Sequence, residues 1–583
     1  MATGGIFFLL SRGLNSEISS LQVKFNVSIL NLMIRYLEFT QLFALLSAIS
    51  IASVLASLLT VSQMEDFSIL SALGGTFKKI QRIPLASVLL INCFSALLGA
   101  LEGCIGGLVF QMLLGININL TIGTIIDYLV FTFLFFFLSI SGTYIFSGFL
   151  INIFIKRKFQ ELALSQYAIE SSPDHRKVLR ISTEKKPAFL LGYLFQKRFR
   201  LISRVVILGI LTLSLISAFG LLGGSIIQET SKDYINQGFS SNVIVITPSL
   251  EFSILLKDLY NPHNQINFDS SMNFIDKQVI PEQFISEIHD ANSIYERRWF
   301  SPGYVYFIPG INYEDIWLGA ENTTFPCYFW IIEDGSTIFH YYSWELLFDS
   351  PPMYQPVFIG DGWKNIVEGN TISSLIPKQI NGNILSDRRF EIEKTVIDPF
   401  AKGHSIFLWR SSLLDLYPDL SLNFTNVLFL KNPTSKVNSL LETYNLHWFS
   451  LEPFKQLYHE DTRNYWFYSN LAFTPVFISA VFSLSTFLVI LCDVLNKDLS
   501  IIRAMGGRNI VIQRILLWII LFLTLQGFFY GIILGFSASY SLIITNPVFP
   551  ALSSWFALFG ASIVVGMAIF LYVKQLARKI SFI

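Results

Sequence analysis

Apolar residues in this chain run on for twenty or more positions at a stretch, stop at a charged cluster, and begin again. Crossing the hydrocarbon layer of a bilayer takes about 20 mainly apolar residues in a helix, the one open-ended structure that satisfies its own backbone hydrogen bonds there. Seven segments meet that length: 41–62, 84–114, 124–155, 201–227, 469–492, 516–540 and 553–573. Between the fourth and fifth lies a polar stretch, 229–465, with a different pattern. Short runs rich in branched and aromatic residues (SNVIVITP, HSIFLW, NVLFLK) alternate there with Pro and Gly turns and with helical periodicity around 251–259, 282–290 and 436–444. That pattern predicts a mixed α/β domain. The expected fold is a polytopic α-helical membrane protein of about seven transmembrane helices with a large mixed α/β extracytoplasmic domain.

Composition strengthens this reading. Of 583 residues, 52% are hydrophobic, 14% are charged and 55 are phenylalanine, far too apolar for a soluble chain of this length. Net charge is zero and no basic, aromatic-interleaved patch appears, so no nucleic-acid partner is expected. The placement of cations sets orientation, because Lys and Arg near helix ends are retained in the cytoplasm. Residues 156–204 carry twelve of them, Lys156, Arg157, Lys185, Lys186 and Arg198 included, against four acids. This loop is read as cytoplasmic, and with it loops 63–83 and 493–515 and the tail with Lys574, Arg578 and Lys579. The expected location is the cell membrane, multi-pass, with the N-terminus and the 229–465 domain outside and the C-terminus cytoplasmic. All four glycosylation sequons, at Asn26, Asn119, Asn322 and Asn423, fall on the outer side in this arrangement. No cleaved leader is expected, since MATGGIFFLLSRG has too short an apolar core.

One phrase occurs twice. Residues 65–83, containing SILSALGG and IQRI, align with 497–515, containing SIIRAMGG and IQRI, at a constant offset of 432 with ten identities in nineteen positions. Each copy lies in a cytoplasmic loop between two spans. In the first, Phe67, Ile69, Leu70 and Leu73 give a short helix an apolar flank, Gly74 and Gly75 end it, and Lys78, Lys79 and Arg82 open the next span at headgroup level. In the second, Leu499, Ile501, Ile502 and Met505 take the apolar places, Arg503 lies among them, Gly506 and Gly507 end it, and Arg508 and Arg514 form the basic edge. The match continues into the following helix, where Gly99 and Gly103 align with Gly531 and Gly535. Small residues four apart let two membrane helices approach closely.

A short helix reading I-[IL]-x-A-[LM]-G-[GA] between membrane helices, then a glycine-bearing span and one more helix, resembles the FtsX-like permease domain of the MacB, LolC/LolE and BceB type of ABC transporters. The resemblance implies that each loop helix is a coupling helix docking on a cytoplasmic ABC ATPase dimer, and that the outer domain does mechanical work on an unnamed substrate. It divides the chain into an outer stalk-like segment (1–40), a first permease unit of three helices (41–155), a basic linker (156–200), a fourth span (201–228), the extracytoplasmic domain (229–465) and a second unit (466–583). Against the family pattern, the first unit is expected to lack its opening helix and outer domain: either the chain is an N-terminally shortened permease or the true start lies upstream. The apolar spacing of Leu14, Ile18, Leu21, Phe25, Ile29 and Met33 resembles the stalk by which such a domain returns to the membrane.

Chemistry is otherwise sparse. No GxxxxGK[ST] loop is present, so ATP hydrolysis is assigned to a partner, and the chain is not read as an enzyme. No catalytic, cofactor-binding or metal residues are assigned: the seven histidines are scattered, and EIHD at 287–290 reads as helix surface. The cysteines, Cys93, Cys104, Cys327 and Cys492, make neither a disulfide framework nor a metal set. The aromatic runs YFWII and RNYWFYSN read as core rather than ligand surface. Glu102 and Asp127 are assigned structural roles near the outer interface, and Pro475 a helix kink. Besides the ATPase, membrane lipids are the expected partners. The competing class is a receptor or scaffold that retains the permease fold without transport.

Cysteines introduced beside Lys185 and beside Asn322 should be labelled from opposite faces of the membrane by an impermeant maleimide; labelling of both from outside overturns the orientation.

Overall fold

The computed structural model describes residues 2–19, 27–63, 67, 69–70, 76–113, 122–167, 200–264, 279–290, 294–308, 324–333, 356–364, 372–380, 383–385, 388–418, 420, 425–471, 486–487, 491, 495, 503, 509–542, 548–560, 562–563, 567 and 571. The chain folds as two compact units. The first comprises Met1–Gly13, Arg35–Ile227 and Trp466–Ile583, the second Leu14–Ile34 and Gln228–Tyr465.

The first unit is helical. It contains most of α1 (Ala2–Ser19), most of α2 (Val27–Ser62), α3 (Phe77–Leu113), α4 (Ile122–Tyr167), the larger part of α5 (Arg200–Gly238) and, beyond the second unit, the C-terminal end of a helix at 452–471 and α11 (Asn509–Leu542). Among the described residues five helices are long and apolar enough to cross a membrane: Ile29–Thr60, Arg82–Leu113, Gly123–Ile153, Ile202–Gly238 and Ile510–Ser541. This is the makeup of a multi-pass membrane protein. The expected spans 469–492 and 553–573 fall largely outside the described residues. Several hydroxyls buried in the helices bond backward to the backbone. Ser53, Ser57 and Thr60 each donate to the carbonyl four residues earlier, at 2.7 Å. The main core joins α2 (Val54, Leu58), α5 (Val206, Ile210), Phe487 and Leu491, and α11 (Ile515, Leu523). A smaller cluster joins Ala56 of α2, Leu85 and Val88 of α3 and Ile151 of α4.

The second unit is built on mixed sheet structure. Strand β1 (Val243–Thr247) is followed by α6 (Leu250–Tyr260), whose start is capped by Ser249 accepting from the Phe252 amide, then by α7 (Glu282–Asp290) and β2 (Ile294–Ile308). Further on come β9 (Val427–Lys431), α9 (Ser435–Thr443), β10 (His447–Ser450) and α10 (Glu452–Leu471). The four strands lie in the antiparallel order β10-β1-β9-β2. Phe284 and Ile288 of α7 and Val437 and Leu441 of α9 pack with Ile244, Ile246, Leu428 and Leu430 in one core. This is a split β-α-β arrangement with an insertion between its second and third strands.

The insertion is a barrel. It adds β3 (Phe325–Ile332), β4 (Pro356–Gly360), β5 (Ser374–Ile380), β6 (Asn383–Ile384), β7 (Phe390–Val396), β8 (Ser405–Trp409) and α8 (Arg410–Leu416). Pairing runs β2-β3-β8-β4-β7-β5 and returns from β5 to β2, closing the ring. The fifteen-residue β2 serves both parts: Ile294–Arg298 pair with β9, and Gly303–Ile308 pair with β5 past a bulge at Tyr304/Val305.

Strand alternation sorts the aromatic run at 328–332. Phe329 and Ile331 join the apolar barrel core with Phe307, Ile359 and Leu408. Tyr328 and Trp330 meet Phe300 and Phe400 in a second aromatic layer. All five residues of the run are buried, so it is core. Cys327 is a free thiol among them, and burial pushes its ionisation up, away from reactivity.

Candidate functional site

The structure places the sequence-predicted site residues in two groups. Leu73, Gly74, Gly75, Ile501, Ile502, Met505, Gly506 and Gly507 lie outside the described residues. Of their neighbours, Phe67 is buried, whereas Ile69 is 60% and Leu70 39% exposed, and Arg503 is exposed. The four glycines of the following helices are described. Gly99 and Gly103 are buried in α3, Gly531 and Gly535 in α11.

Each glycine-bearing helix carries a second helix against small residues, α11 at Gly527, Gly531 and Gly535 and α3 at Gly103, Gly106 and Gly107. On α11, a methyl group at Gly531 would fall 2.5 Å from Ser214 Cβ and 2.6 Å from the Leu211 carbonyl oxygen. One at Gly535 would fall 2.6 Å from the Leu215 carbonyl oxygen and 2.8 Å from Ala218 Cβ. One turn earlier, Gly527 meets Ile210 in the same way. Successive contacts advance along both helices together, so α5 and α11 run parallel with backbones touching. Gly527 was not singled out by the sequence, although its counterpart at the offset, Ser95, is also small, which gives both helices three small residues at four-residue spacing.

The first copy does the same with α1. A methyl at Gly5 would lie 3.1 Å from the Gly103 Cα, and methyls at Gly106 and Gly107 would strike Ile6 and Leu9. Gln111 donates to the Leu9 carbonyl at 2.5 Å, so α1 also runs parallel to its glycine-bearing partner. Phe8 stacks on Phe131 of α4 at 4.2 Å, and Arg12 pairs with Asp127 at 2.8 Å with both side chains half exposed. Asp127 thereby has a structural partner, while Glu102 lies exposed on α3. The stalk-like reading of the N-terminal residues rests on the apolar spacing from Leu14 to Met33, and the short apolar stretch Gly5–Leu14 precedes most of it.

The second unit holds a buried ionisable cluster that the sequence did not flag. It sits where β7 ends and β8 begins. Asp361 and Asp398 are 1% and 4% exposed, and the Asp398 amide donates to Asp361 Oδ1 at 3.2 Å. Asp398 accepts from the Phe400 amide at 3.1 Å and from the Ser405 hydroxyl. Burial pushes its carboxyl up to about 7, with Asp361 acting in the same sense and the two hydrogen bonds opposing. His404, wholly buried, is held down to about 4 by burial, with Lys402 adding to the effect. Both groups are therefore uncharged at mildly acidic pH. Among the described residues no group of three metal-ligating side chains occurs.

No family model matches the chain, and neither does any curated protein. Among solved structures it is similar to the periplasmic region of MacB from Actinobacillus actinomycetemcomitans, with 16% identity and a TM-score of 0.21 over 38% of this chain and 94% of that one.

Gly531→Leu should force α11 off α5 at a cost of about 3 kcal/mol or more, lowering the melting temperature in detergent by several degrees. Gly560→Leu, at a glycine with open space around it, should leave melting unchanged.

The buried acid and imidazole make opposite contributions to pH dependence. Asp398 ordinarily titrates at 3.8, so its raised value contributes stability that is complete below that pH and lost as pH rises through about 7. His404, lowered from 6.5, contributes stability that is complete above 6.5 and lost as pH falls toward about 4. Between those limits the slopes cancel. Thermal melts of the protein in nanodiscs should show that His404→Gln loses stability as pH rises from 4.5 to 7, while Asp398→Asn gains it from 4.5 to 6.5.

Proposed function

We propose that the chain is the permease subunit of a MacB/FtsX-like ABC system, coupling ATP hydrolysis by a cytoplasmic ATPase dimer to movement of an extracytoplasmic domain. The observation that carries this reading is the duplication. The same loop phrase stands twice before a helix with glycines at the same offset, and each of these helices receives a parallel helix against its small residues. A loop segment alone would be an ordinary membrane edge; two copies joined to equivalent helix pairs are two units of one machine. In this reading α1 takes on α3 the place that α5 takes on α11.

Two coupling segments in one polypeptide fit one chain to one ATPase dimer. The exposed side chains of Ile69 and Leu70, beside the buried Phe67, supply an apolar surface for docking. The chain spans the membrane seven times beyond α1, with the basic loops inside, the sheet domain outside and lipid around the spans. ATP hydrolysis belongs to the partner, since this chain has no phosphate-binding loop. The work done outside is extraction of a lipid or lipoprotein, expulsion of a peptide or drug, or mechanical activation of an outside enzyme.

The test is docking. Ile69→Asp and its counterpart Ile501→Asp each place a carboxylate where an apolar side chain would be desolvated, and loss of such a contact commonly costs about 2 kcal/mol or more. Because Ile69 is exposed in the chain alone, folding and membrane level should be unaffected. Pull-down of the cognate ATPase should weaken more than tenfold with either change and disappear with both. Undiminished binding and undiminished stimulation of ATP hydrolysis in the double variant overturn the reading.

A further inference from the structure

The buried turn between β7 and β8 has a conformation that its own residues do not favour. Ala401 and Lys402 have φ of 44° and 53°, and Gly403 follows at 82°. Consecutive non-glycine residues in the left-handed region crowd Cβ against the carbonyl oxygen and persist only where the surroundings over-determine them. Here the surroundings are tight. A methyl on Gly403 would fall 2.3 Å from the Gly362 amide nitrogen and 2.5 Å from Asp361 Oδ1, so the turn is interlocked with the segment after β4. The Lys402 side chain is 3% exposed, and Ala401 is wholly buried. The turn is closed by the His404 amide and ring Nδ1, both 3.0 Å from the Ala401 carbonyl.

Two helices grip the same segment from the other side. The last residue of α5, Gly238, sits so close that a methyl there would be 2.9 Å from Pro399 Cδ and 3.3 Å from the Ile397 carbonyl oxygen. Tyr458 of α10 donates to the Pro399 carbonyl at 3.0 Å, and its ring meets Phe239 at 5.6 Å. Beside this grip lies a small apolar cavity bounded by Ile235, Gly238, Ile397, Pro399 and Tyr458. The segment thus has strain to release, an adjacent space, and two restraints that both come from helices continuing into the other unit.

We propose that Ile397–Ser405 is a conformational latch, a strained left-handed turn held in place by the end of α5 and by Tyr458 of α10, and released when either helix withdraws. Such a latch converts a small shift of the helix ends into a discrete rearrangement at the end of the barrel, because packed turns are bistable rather than continuously deformable. It does not depend on an ATPase partner, so it stands or falls separately from the transport reading.

The test is hydrogen exchange on the full chain in nanodiscs, comparing peptides over 397–405 with peptides over β1 and β9 in the same sample. Tyr458→Phe removes one restraint and should raise exchange in 397–405 about fivefold, the equivalent of one hydrogen bond. Gly238→Ala presses on Pro399 and should act in the same direction. Ala401→Gly relieves the left-handed strain and should slow exchange about fivefold. β1 and β9 should be unaffected throughout. Unchanged exchange in 397–405 for both Tyr458→Phe and Gly238→Ala, or an equal rise over β1 and β9, or faster exchange in Ala401→Gly, overturns the latch.

Discussion

Helices in hydrocarbon gain nothing from burying leucine against leucine, because lipid tails are as apolar as the side chains. Association must come from contact itself, and contact is greatest where no side chain intervenes. This constraint organises the helical unit. On α11 the ridge Gly527, Gly531 and Gly535 brings the backbone of α5 within van der Waals range, and on α3 Gly103, Gly106 and Gly107 do the same for α1. The remaining helix packing, such as Gly142 of α4 under Ile49 of α2 and the Asn92 to Thr143 hydrogen bond between α3 and α4, follows the same economy of small residues and internal polar contacts.

In the sheet unit water is the competing solvent, and the rules change. Apolar burial drives packing, so large residues fill the interior: Phe329, Trp330 and Trp363 are almost wholly buried. Buried ionisable groups enter with partners or without charge. Arg298 pairs with Glu296 two positions away on the same strand and lies 4.0 Å over the Phe429 ring, which keeps a buried guanidinium between a carboxylate and an aromatic face. Asp398 and His404 enter by giving up charge, the acid holding its proton and the imidazole shedding one.

What the sequence made legible follows from range. The helices at Leu250–Tyr260, Glu282–Asp290 and Ser435–Thr443 and the strands at 243–247, 405–409 and 427–431 are local patterns, and each is present within a residue or so of its expected bounds. Strand pairing is not local: nothing in the composition of β2 says that one end belongs to β9 and the other to β5, more than seventy residues further on than its start. The packing of α1 is likewise not local, because the glycines that hold it lie about a hundred residues away on α3. The buried cluster was missed for the opposite reason. An aspartate in DPFAKGH reads as turn surface, and only the close approach of Gly360, Gly362 and Gly403 encloses it.

The duplicated helices also show which positions the packing holds. Gly103 and Gly535 are equivalent, both are buried, and both lie against another helix, Gly103 under Gly5 and Gly535 against Leu215 and Ala218. The positions immediately before them, Glu102 and Leu534, are also equivalent and both are exposed, and there one copy has a carboxylate where the other has an isobutyl group. Val88 and Ile520, equivalent and buried in different clusters, differ by a methylene, as unequal neighbours require. Backbone contact thus permits only one residue type, side-chain packing permits adjustment of volume, and exposure permits a change of charge. That ordering is what close helix association through glycine entails, and it explains why the resemblance between the two halves is strongest at the loop phrase and the small-residue ridge and fades on the outward faces.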